Sequence, residues 1–318
     1  MTGHNVARAF APASVGNVAV GFDLLGLALE GAGDTVTATR AQAPGVVIER
    51  IDGVTVELPR EPSRNTAGRV AQALLGDHGG DMGVSLAIDK GIALGSGMGG
   101  SAASAVAAAV AVNALLSAPL PLPALLDYAL QGEAVASGAR HADNVAPSLL
   151  GGLVLAVPGS PAVRLPVPDG LTCVLARPHV QLNTRDGRAL LREHYTMPEW
   201  VRQAGHLAGF IDACHRRDIE AIGRHLVDTL IEPQRKVGIP GFDAVRERVR
   251  AAGALACSIS GSGPAMFAWC RDGDAPAVRE AFVAGFAAVP VPSEVLVSSL
   301  NAPGATLLDS KKDSHAIS

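Results

Sequence analysis

A glycine-rich turn that runs directly into an alanine-rich helix constrains this chain more than any other feature. Glycines occupy positions 95, 97, 99 and 100, and residues 101–110 that follow are mostly alanine and valine. Glycine permits tight turns and close approach of a ligand, whereas alanine is the strongest helix former. A helix that begins here directs its free N–H groups and its positive dipole end toward one point. The segment therefore predicts an anion site, and a phosphate group suits it best.

Three kinds of phosphate-binding loop compete for this stretch. A Walker loop ends in Gly-Lys-Ser/Thr, but Ser101 follows Gly100 directly, and this excludes it. The dinucleotide pattern G-x-G-x-x-G is matched by Gly95, Gly97 and Gly100. That pattern also requires a second strand that ends in an acid about 20 residues further on, whereas residues 117–123 form a proline-rich connector. An NAD-dependent oxidoreductase stays a weaker alternative, as does a glycine turn that only packs against the helix.

The third kind is the phosphate loop of the GHMP kinase family, which residues 93–102 resemble. The family pattern is Pro-x-x-x-Gly-Leu-Gly-Ser-Ser-Ala, and this chain has Ala-Leu-Gly-Ser-Gly-Met-Gly-Gly-Ser-Ala. Ala93, Met98 and Gly100 replace the proline, the leucine and the first serine. The exchange at Gly100 removes one hydroxyl group near the phosphates.

Further blocks resemble the same family and follow its order along the chain: residues 11–29, 133–152 and 258–268. The first contains the triplet Gly-Phe-Asp at positions 21–23, and the second contains His-Ala-Asp-Asn-Val-Ala-Pro. In the third block, Ala265 stands where the family usually carries Thr or Ser. The first two blocks are most similar to the homoserine-phosphorylating branch of the family.

Composition limits the classes of protein open to this chain. Its 318 residues are enough for two domains with a buried core. A net charge of −4 argues against nucleic-acid binding. The four cysteines show no C-x-x-C spacing, as expected for reduced thiols of a cytoplasmic protein. The apolar run at 102–118 is too short to span a membrane, and no signal peptide is recognised before the first block.

Sequence patterns predict both strands and helices, and the resemblance implies an α+β fold. Predicted strands lie at 35–39, 46–51, 84–88, 153–157, 171–176 and 295–300, with a hairpin at 257–260 and 266–270. Predicted helices lie at 65–75, 101–116, 122–137, 199–216, 218–230 and 241–252. The resemblance implies the two-domain GHMP kinase fold, with the nucleotide and the acceptor bound between the domains. We expect an N-terminal ATP-binding domain at 1–157, a C-terminal domain at 158–308 and a polar tail at 309–318.

On the phosphate side, the resemblance assigns contacts with ATP to a nearly continuous set of residues: Asn65, Leu94, Gly95, Ser96, Gly97, Met98, Gly99, Gly100, Ser101, Ala102 and Ser104. Ser101 and Glu133 match the residues on the metal side, and Mg²⁺ takes few oxygen ligands from protein. Simpler interpretations stay open. Ser101 and Asn65 are also good helix caps, and Glu133 also fits a solvated helix face or a cap.

On the acceptor side, a small zwitterion requires an anion for its amine and guanidinium groups for its carboxylate. The resemblance places Arg188 and Arg235 at the carboxylate and Asp23 at the amine. It adds three contacts near the reacting hydroxyl and neighbouring atoms, Asn17, His141 and Asn144. It also implies substrate contacts at Thr184 and Gly261. It implies catalytic roles for Asn17, Ser101, Glu133 and Arg188. Taken singly, the arginines also fit surface ion pairs, and His141 fits a core histidine.

The activity implied is ATP- and Mg²⁺-dependent phosphorylation of the side-chain hydroxyl of L-homoserine. Phosphorylation of another small alcohol, of the shikimate or mevalonate type, is the nearest alternative. A catalytically silent relative that binds a small molecule or a partner is another, because Gly100 and Ala265 depart from the family pattern. The resemblance also suggests a homodimer, and it implies neither nucleic-acid nor membrane binding.

Asp186→Asn tests whether this chain uses a side-chain base. Some members of the family carry an aspartate where Thr184 aligns, and a hydroxyl cannot take up a proton at neutral pH as a carboxylate can. We therefore expect catalysis by positioning and charge stabilisation, and the variant should keep its kcat in an ADP-release assay. A loss of about a thousandfold or more would assign the base to Asp186.

Overall fold

The computed structural model describes residues 5–182 and 184–308. Within these ranges the strands are β1 (Val6–Gly16), β2 (Leu25–Ala41), β3 (Gly45–Asp52), β4 (Gly83–Asp89), β5 (Leu153–Leu155), β6 (Val163–Arg164), β7 (Leu171–Pro178), β8 (Ala254–Ile259), β9 (Met266–Arg271), β10 (Ser293–Ser299) and β11 (Thr306–Leu308). The helices are α1 (Thr66–His78), α2 (Gly100–Asn113), α3 (Leu126–Ser137), α4 (Ala142–Leu150), α5 (Thr184–Ala189), α6 (Met197–Arg216), α7 (Ile219–His225), α8 (Glu232–Arg235), α9 (Phe242–Ala251) and α10 (Ala275–Ala288).

The strands form two sheets. The first has the order β11-β1-β2-β4-β3, with β5 paired to β2 and β6 paired to β5. The second has the order β10-β7-β9-β8. Pairing is antiparallel throughout the described strands except between β3 and β4. Helices and mostly antiparallel strands therefore confirm the predicted α+β class.

Helix α2 lies in the centre of the larger hydrophobic core. Every residue from 102 to 113 is buried, so the helix has no solvent face. It packs against β1, β2, α1, α3 and α4. Small alanine side chains allow neighbours to approach from all sides, which an ordinary amphipathic helix does not require. The core thus holds the helix that begins at the glycine turn.

The boundaries of α2 and α7 differ from the prediction for local reasons. Helix α2 ends at Asn113, not at 116, because the Asn113 side chain pairs with both backbone groups of Leu120. Helix α7 ends at His225, not at 230. The next residues turn around Asp228, whose carboxylate accepts hydrogen bonds from the amides of residues 230–232.

Strand β1 and helices α4 and α10 were not predicted. Strand β1 contains Pro12, and its register with β2 shifts between Pro12 and Ser14. Helix α4 contains Pro147, which ordinarily argues against a helix interior. In β1 and α4, packing against neighbouring elements outweighs the local effect of the proline.

The first sheet contains strands from both sides of the predicted domain boundary. Strands β6 and β11 belong to the first sheet, although both lie beyond residue 157. The C-terminal end of the described chain therefore returns to the N-terminal sheet. The division at 157 and 158 itself stays a prediction, as does the tail at 309–318, which lies outside the described residues.

A pair of glycine substitutions tests the helix packing. In α3, a Cβ at Gly132 would lie 2.5 Å from the carbonyl oxygen of Thr66 and from Val70 Cγ2. In α1, a Cβ at Gly76 would meet no atom within 4 Å. We expect Gly132→Ala to lower the free energy of unfolding by about 1–3 kcal/mol. Gly76→Ala should raise it by about 0.5–1 kcal/mol. Urea denaturation measures both, and equal shifts in one direction would contradict the packing.

Candidate active site

A cavity of about 570 Å³ opens where α2 begins. Its walls come from the glycine turn, from α3 and α4, and from residues of the C-terminal half. Most of the residues that the sequence predicted for the site line it: Asn17, Asp23, Leu94, Gly95, Ser96, Gly97, Met98, Gly99, Gly100, Ser101, Glu133, His141, Asn144, Arg188, Arg235 and Gly261. The structure therefore brings the predicted phosphate and acceptor residues into one space.

Glycine is required in the turn by backbone conformation. Gly95, Gly97 and Gly99 have φ angles of 64°, 77° and 68°, which side-chain-bearing residues rarely adopt. A Cβ at Gly97 would also lie 2.7 Å from the carbonyl oxygen of Gly263. The turn is thus both left-handed and in close contact with another segment of backbone.

The carbonyl groups of residues 95–98 all accept hydrogen bonds from protein. In order, their donors are the amide of Leu182 (3.2 Å), the amide of Ala265 (3.2 Å), the hydroxyl of Ser260 (2.7 Å) and the amide of Ser14 (3.1 Å). These donors come from separate parts of the chain, so the turn is held from several sides. The carbonyl groups of the turn are therefore satisfied, and the turn is fixed in position.

The start of α2 supplies donors at the same place. Gly99 is the N-cap residue and makes no side-chain capping hydrogen bond. The amides of Gly100, Ser101 and Ala102 fall in the first helical turn, where no intrahelical acceptor exists. With the positive end of the helix dipole, these amides suit a phosphate group.

A buried network behind the turn fixes this geometry. Lys90 Nζ donates to the Asp34 carboxylate, to the Gly100 carbonyl (2.7 Å) and to Ser104 Oγ (2.8 Å). The other Asp34 oxygen accepts from the amides of Gly91 (3.0 Å) and Ile92 (3.2 Å), just before the turn. The network therefore anchors the chain on both sides of the glycines.

Two residues that the sequence assigned to ATP have other surroundings. The Ser104 hydroxyl donates to Asp34 at 2.6 Å inside the buried network and does not line the cavity. Ala102 is fully buried, so only its backbone amide is a candidate contact. The Ser104 side chain thus supports the turn and the Ala102 side chain belongs to the core, while the ATP contacts assigned to these residues stay predictions.

Asn65 also lies away from the cavity walls. Its side-chain oxygen accepts from the amides of Ala67 and Gly68, and its Nδ2 donates to the carbonyl of Pro59 at 2.9 Å. Asn65 is therefore the N-cap of α1. The adenine contact assigned to it stays a prediction.

Two buried carboxyl groups face the cavity beside the turn. Burial raises the pKa of Glu133 to about 7, although a hydrogen bond with the Ser101 side chain acts to lower it. Burial likewise raises the pKa of Asp143 to about 7, and the nearby charge of Asp23 adds to the increase. Among the described residues, Glu133 Oε2 is buried with no hydrogen-bond partner. A cation bound beside the turn would therefore stabilise the charged form of this carboxyl group.

A second cluster of charges lies on the acceptor side. The Arg188 guanidinium donates to both Asp23 oxygens, at 2.9 and 3.1 Å, and approaches His141 Nε2 at 2.9 Å. Burial lowers the pKa of His141, and the charge of Arg188 adds to this effect. His141 is therefore neutral at neutral pH, and its Nε2 accepts the hydrogen bond from Arg188.

Asn17 and Gly261 connect the two halves of the chain across the site. Asn17 Nδ2 donates to the carbonyl of Gly261 at 2.9 Å, and Asn17 Oδ1 accepts from the amide of Asp23 at 2.9 Å. The same Gly261 carbonyl accepts from Arg235 at 3.1 Å. Asn17 has φ 68°, and its neighbours Val18 and Ala19 also have positive φ angles, which are strained. The strained backbone therefore lies at a predicted site residue.

Some predicted contacts could not be located, and others were missed. The side chain of Thr184 lies outside the described residues, so its role stays a prediction. The sequence analysis missed Ser14, Asp143 and Ser260. Asp143 lies in the same motif as His141 and Asn144 and could have been found there. Ser14 and Ser260 act on loop backbone from distant segments, which no local pattern indicates.

Comparison with known proteins agrees with this arrangement. Residues 65–152 match the family described as GHMP kinases N terminal domain, and residues 210–288 match GHMP kinases C terminal. The chain is 48% identical over 303 residues to a homoserine kinase from Xanthomonas campestris, covering 95% of this chain and 94% of that one. It is 40% identical over 317 residues to a homoserine kinase from Chlorobium phaeovibrioides, covering 95% and 99%.

Solved structures agree as well. The crystal structure of homoserine kinase from Cytophaga hutchinsonii superposes with a TM-score of 0.93 at 39% identity, covering 97% of this chain and 99% of that chain. L. major mevalonate kinase has a TM-score of 0.66 at 15% identity, covering 95% and 97%, and shows the shared fold alone. Within the described ranges, the helices are all too short or too polar to cross a membrane.

The raised pKa of Glu133 predicts a pH-dependent stability change in Glu133→Gln. A carboxyl group whose pKa is raised in the folded state destabilises that state progressively as the pH rises from the ordinary pKa of the group to about 7. We expect the variant to be more stable than the parent at pH 8, by about 1–3 kcal/mol, and not at pH 4. Denaturant unfolding at both pH values measures this. The exposed Glu57→Gln is the control, and equal gains at both pH values would contradict the prediction.

Proposed function

This chain belongs to the GHMP kinase family, and on that premise we propose that it transfers the terminal phosphoryl group of ATP to the side-chain hydroxyl of L-homoserine. The product is O-phospho-L-homoserine, on the route to threonine. The similarity to homoserine kinases over most of the chain supports this acceptor.

One observation carries the proposal: a single cavity joins the start of α2 to a cluster of two arginines and an aspartate. The helix start suits phosphate groups. Arg188 and Arg235 suit a carboxylate, and Asp23 suits an ammonium group. Phosphoryl transfer requires the donor and the attacking hydroxyl to be held in line, and this cavity offers both binding regions together.

On the phosphate side, amides of the glycine turn and of the first turn of α2 would bind the phosphate oxygens. Ser101 and Glu133 would hold Mg²⁺, and the unpartnered buried oxygen of Glu133 fits such a ligand. No group of three or more His, Cys, Asp or Glu side chains suited to a metal occurs among residues 5–182 and 184–308. That agrees with Mg²⁺, which binds few protein side chains and takes its other oxygens from phosphate and water. When bound, the ion offsets the negative charge of the phosphates.

On the acceptor side, the zwitterion would enter the Arg188–Asp23 pair. Its carboxylate would bind Arg188 and Arg235, and its ammonium group would bind Asp23. The exchange preserves charge pairing, because each partner of the ion pair receives an opposite charge from the substrate. Asp143 adds a second carboxyl group close to Asp23 and therefore favours the same ammonium group.

The remaining lining residues would orient the reacting hydroxyl. Asn17, His141 and Asn144 present amide or imidazole groups to the cavity. The side-chain oxygen of Asn144 accepts from Ser14 at 2.9 Å, which fixes the orientation of its amide. The Gly261 carbonyl orients Asn17 and Arg235. Catalysis would then depend on positioning and charge stabilisation, without a dedicated base.

A cytoplasmic location and a homodimer stay predictions from the family resemblance. The same holds for the assignment of individual side chains to substrate, metal or nucleotide. A mass measurement in solution, by light scattering, tests the dimer independently of activity.

An ADP-release assay with MgATP and a panel of alcohols tests the acceptor. We expect turnover with L-homoserine and little with shikimate or mevalonate, because neither carries an amine for Asp23. Turnover with mevalonate or shikimate, and none with homoserine, would contradict the proposed acceptor and favour the alternative. Absence of ATP consumption with every alcohol would favour a catalytically silent binding protein.

Substitution of the two arginines tests the carboxylate site. Arg188→Ala and Arg235→Ala should each reduce kcat/KM for homoserine by about tenfold to a hundredfold, mostly through KM. The control is Arg192→Ala, which removes an arginine from the neighbouring apolar cavity, outside the active-site walls. Steady-state kinetics measure all three. Unchanged KM in both active-site variants would place the carboxylate elsewhere.

A further inference from the structure

The ring of Phe22 lies against both arginines of the acceptor site. The Arg188 guanidinium carbon is 5.3 Å from the ring centroid, and the Arg235 guanidinium carbon is 5.1 Å from it. Both distances are within the range in which a cation is attracted by the face of an aromatic ring. One aromatic side chain therefore contacts two like charges.

Among the described residues, the hydrogen-bond partners of these two cations differ. Arg188 pairs with Asp23, whereas Arg235 donates to the backbone carbonyls of Gly187 and Gly261, both at 3.1 Å. Arg235 is only 4% exposed. Burial lowers the pKa of Arg235, the charge of Arg188 lowers it further, and the charges of Asp23, Asp143 and Asp228 oppose these effects. The two guanidinium groups therefore repel one another, and the neighbouring carboxylates offset part of that repulsion.

The position of Phe22 in the chain links it to the rest of the site. It directly precedes Asp23 and follows the turn in which Asn17, Val18 and Ala19 have positive φ. The hydrogen bond from the Asp23 amide to Asn17 closes that turn. Phe22 also lines a neighbouring apolar cavity of about 650 Å³, and Arg188 lines both that cavity and the acceptor site.

We propose that Phe22 is a positioning residue that holds Arg188 and Arg235 together on its ring, so that the carboxylate site is formed before the substrate binds. Quadrupole attraction to each cation offsets part of the repulsion between them. A preformed site spares the substrate the cost of bringing the two groups together. The inference rests on the proposed acceptor, and it makes Phe22 a determinant of affinity for the amino acid rather than of the chemical step.

Graded fluorination of the Phe22 ring tests this inference. Site-specific incorporation of 4-fluoro-, 3,5-difluoro- and 3,4,5-trifluorophenylalanine withdraws electron density from the ring face and changes its shape little. We expect KM for homoserine to rise with each fluorine, its logarithm linear in fluorine number. The total rise at three fluorines should be about twofold to thirtyfold. The kcat value and KM for ATP should change by less than twofold.

Phe242 offers a matched control. Its ring lies 5.1 Å from the Arg246 guanidinium carbon, a contact of the same kind outside the active-site cavity. The same fluorinated residues at position 242 should leave KM for homoserine unchanged. Phe22→Tyr, which keeps an electron-rich ring, should keep KM close to the parent value. Phe22→Leu should raise KM at least as much as the trifluoro variant.

The outcomes separate the two proposals. If the parent protein turns over homoserine and the fluorine series is flat, the role of Phe22 is wrong and the acceptor assignment stands. An equal loss of kcat, or an equal rise in KM for ATP, would also overturn the role, because it would indicate general damage to the site. If the parent protein does not phosphorylate homoserine at all, the proposed acceptor is wrong. A linear rise confined to homoserine KM supports both.

Discussion

The backbone of the glycine turn is the constraint on which the rest of the site depends. Its carbonyl groups accept hydrogen bonds from amides and a hydroxyl of residues 14, 182, 260 and 265, which fix its conformation. The buried Lys90–Asp34 pair anchors the chain on both sides of it. Because the donors come from both halves of the chain, forming the turn also brings the acceptor residues to the N-terminus of α2.

The site keeps several features that the folded chain alone does not favour. Burial raises the pKa values of Glu133 and Asp143, and buried Arg235 donates to backbone carbonyls of Gly187 and Gly261. Val18 has a positive φ, which a β-branched residue adopts only under strain. The cost of each buried charge is reduced when an opposite charge binds. Unpaired charge in a cavity is therefore a sign of ligand chemistry, as perturbed carboxyl groups commonly are at functional sites.

Part of the fold could be predicted from local patterns. Helix α2, strand β4 and strands β8 and β9 follow from alanine content, alternation and turn residues, all of which act over a few positions. The capping of α1 by Asn65 is equally local, and its side-chain amide makes three hydrogen bonds there. Helix α4 could not be predicted, because Pro147 argues against it and packing against the first sheet, α2 and α3 offsets that effect.

The sequence alone determined the chemistry of the site: a glycine turn before a buried helix, carboxyl groups for cations, and arginines for a carboxylate. Those are properties of residue types and short spacings. The tertiary structure alone decided which groups meet. It placed Ser104 behind the turn, added Asp143 to the cavity and set one phenylalanine ring against two arginines. Such contacts join residues far apart in the chain, and their geometry depends on how sheets and helices pack, which no local pattern encodes.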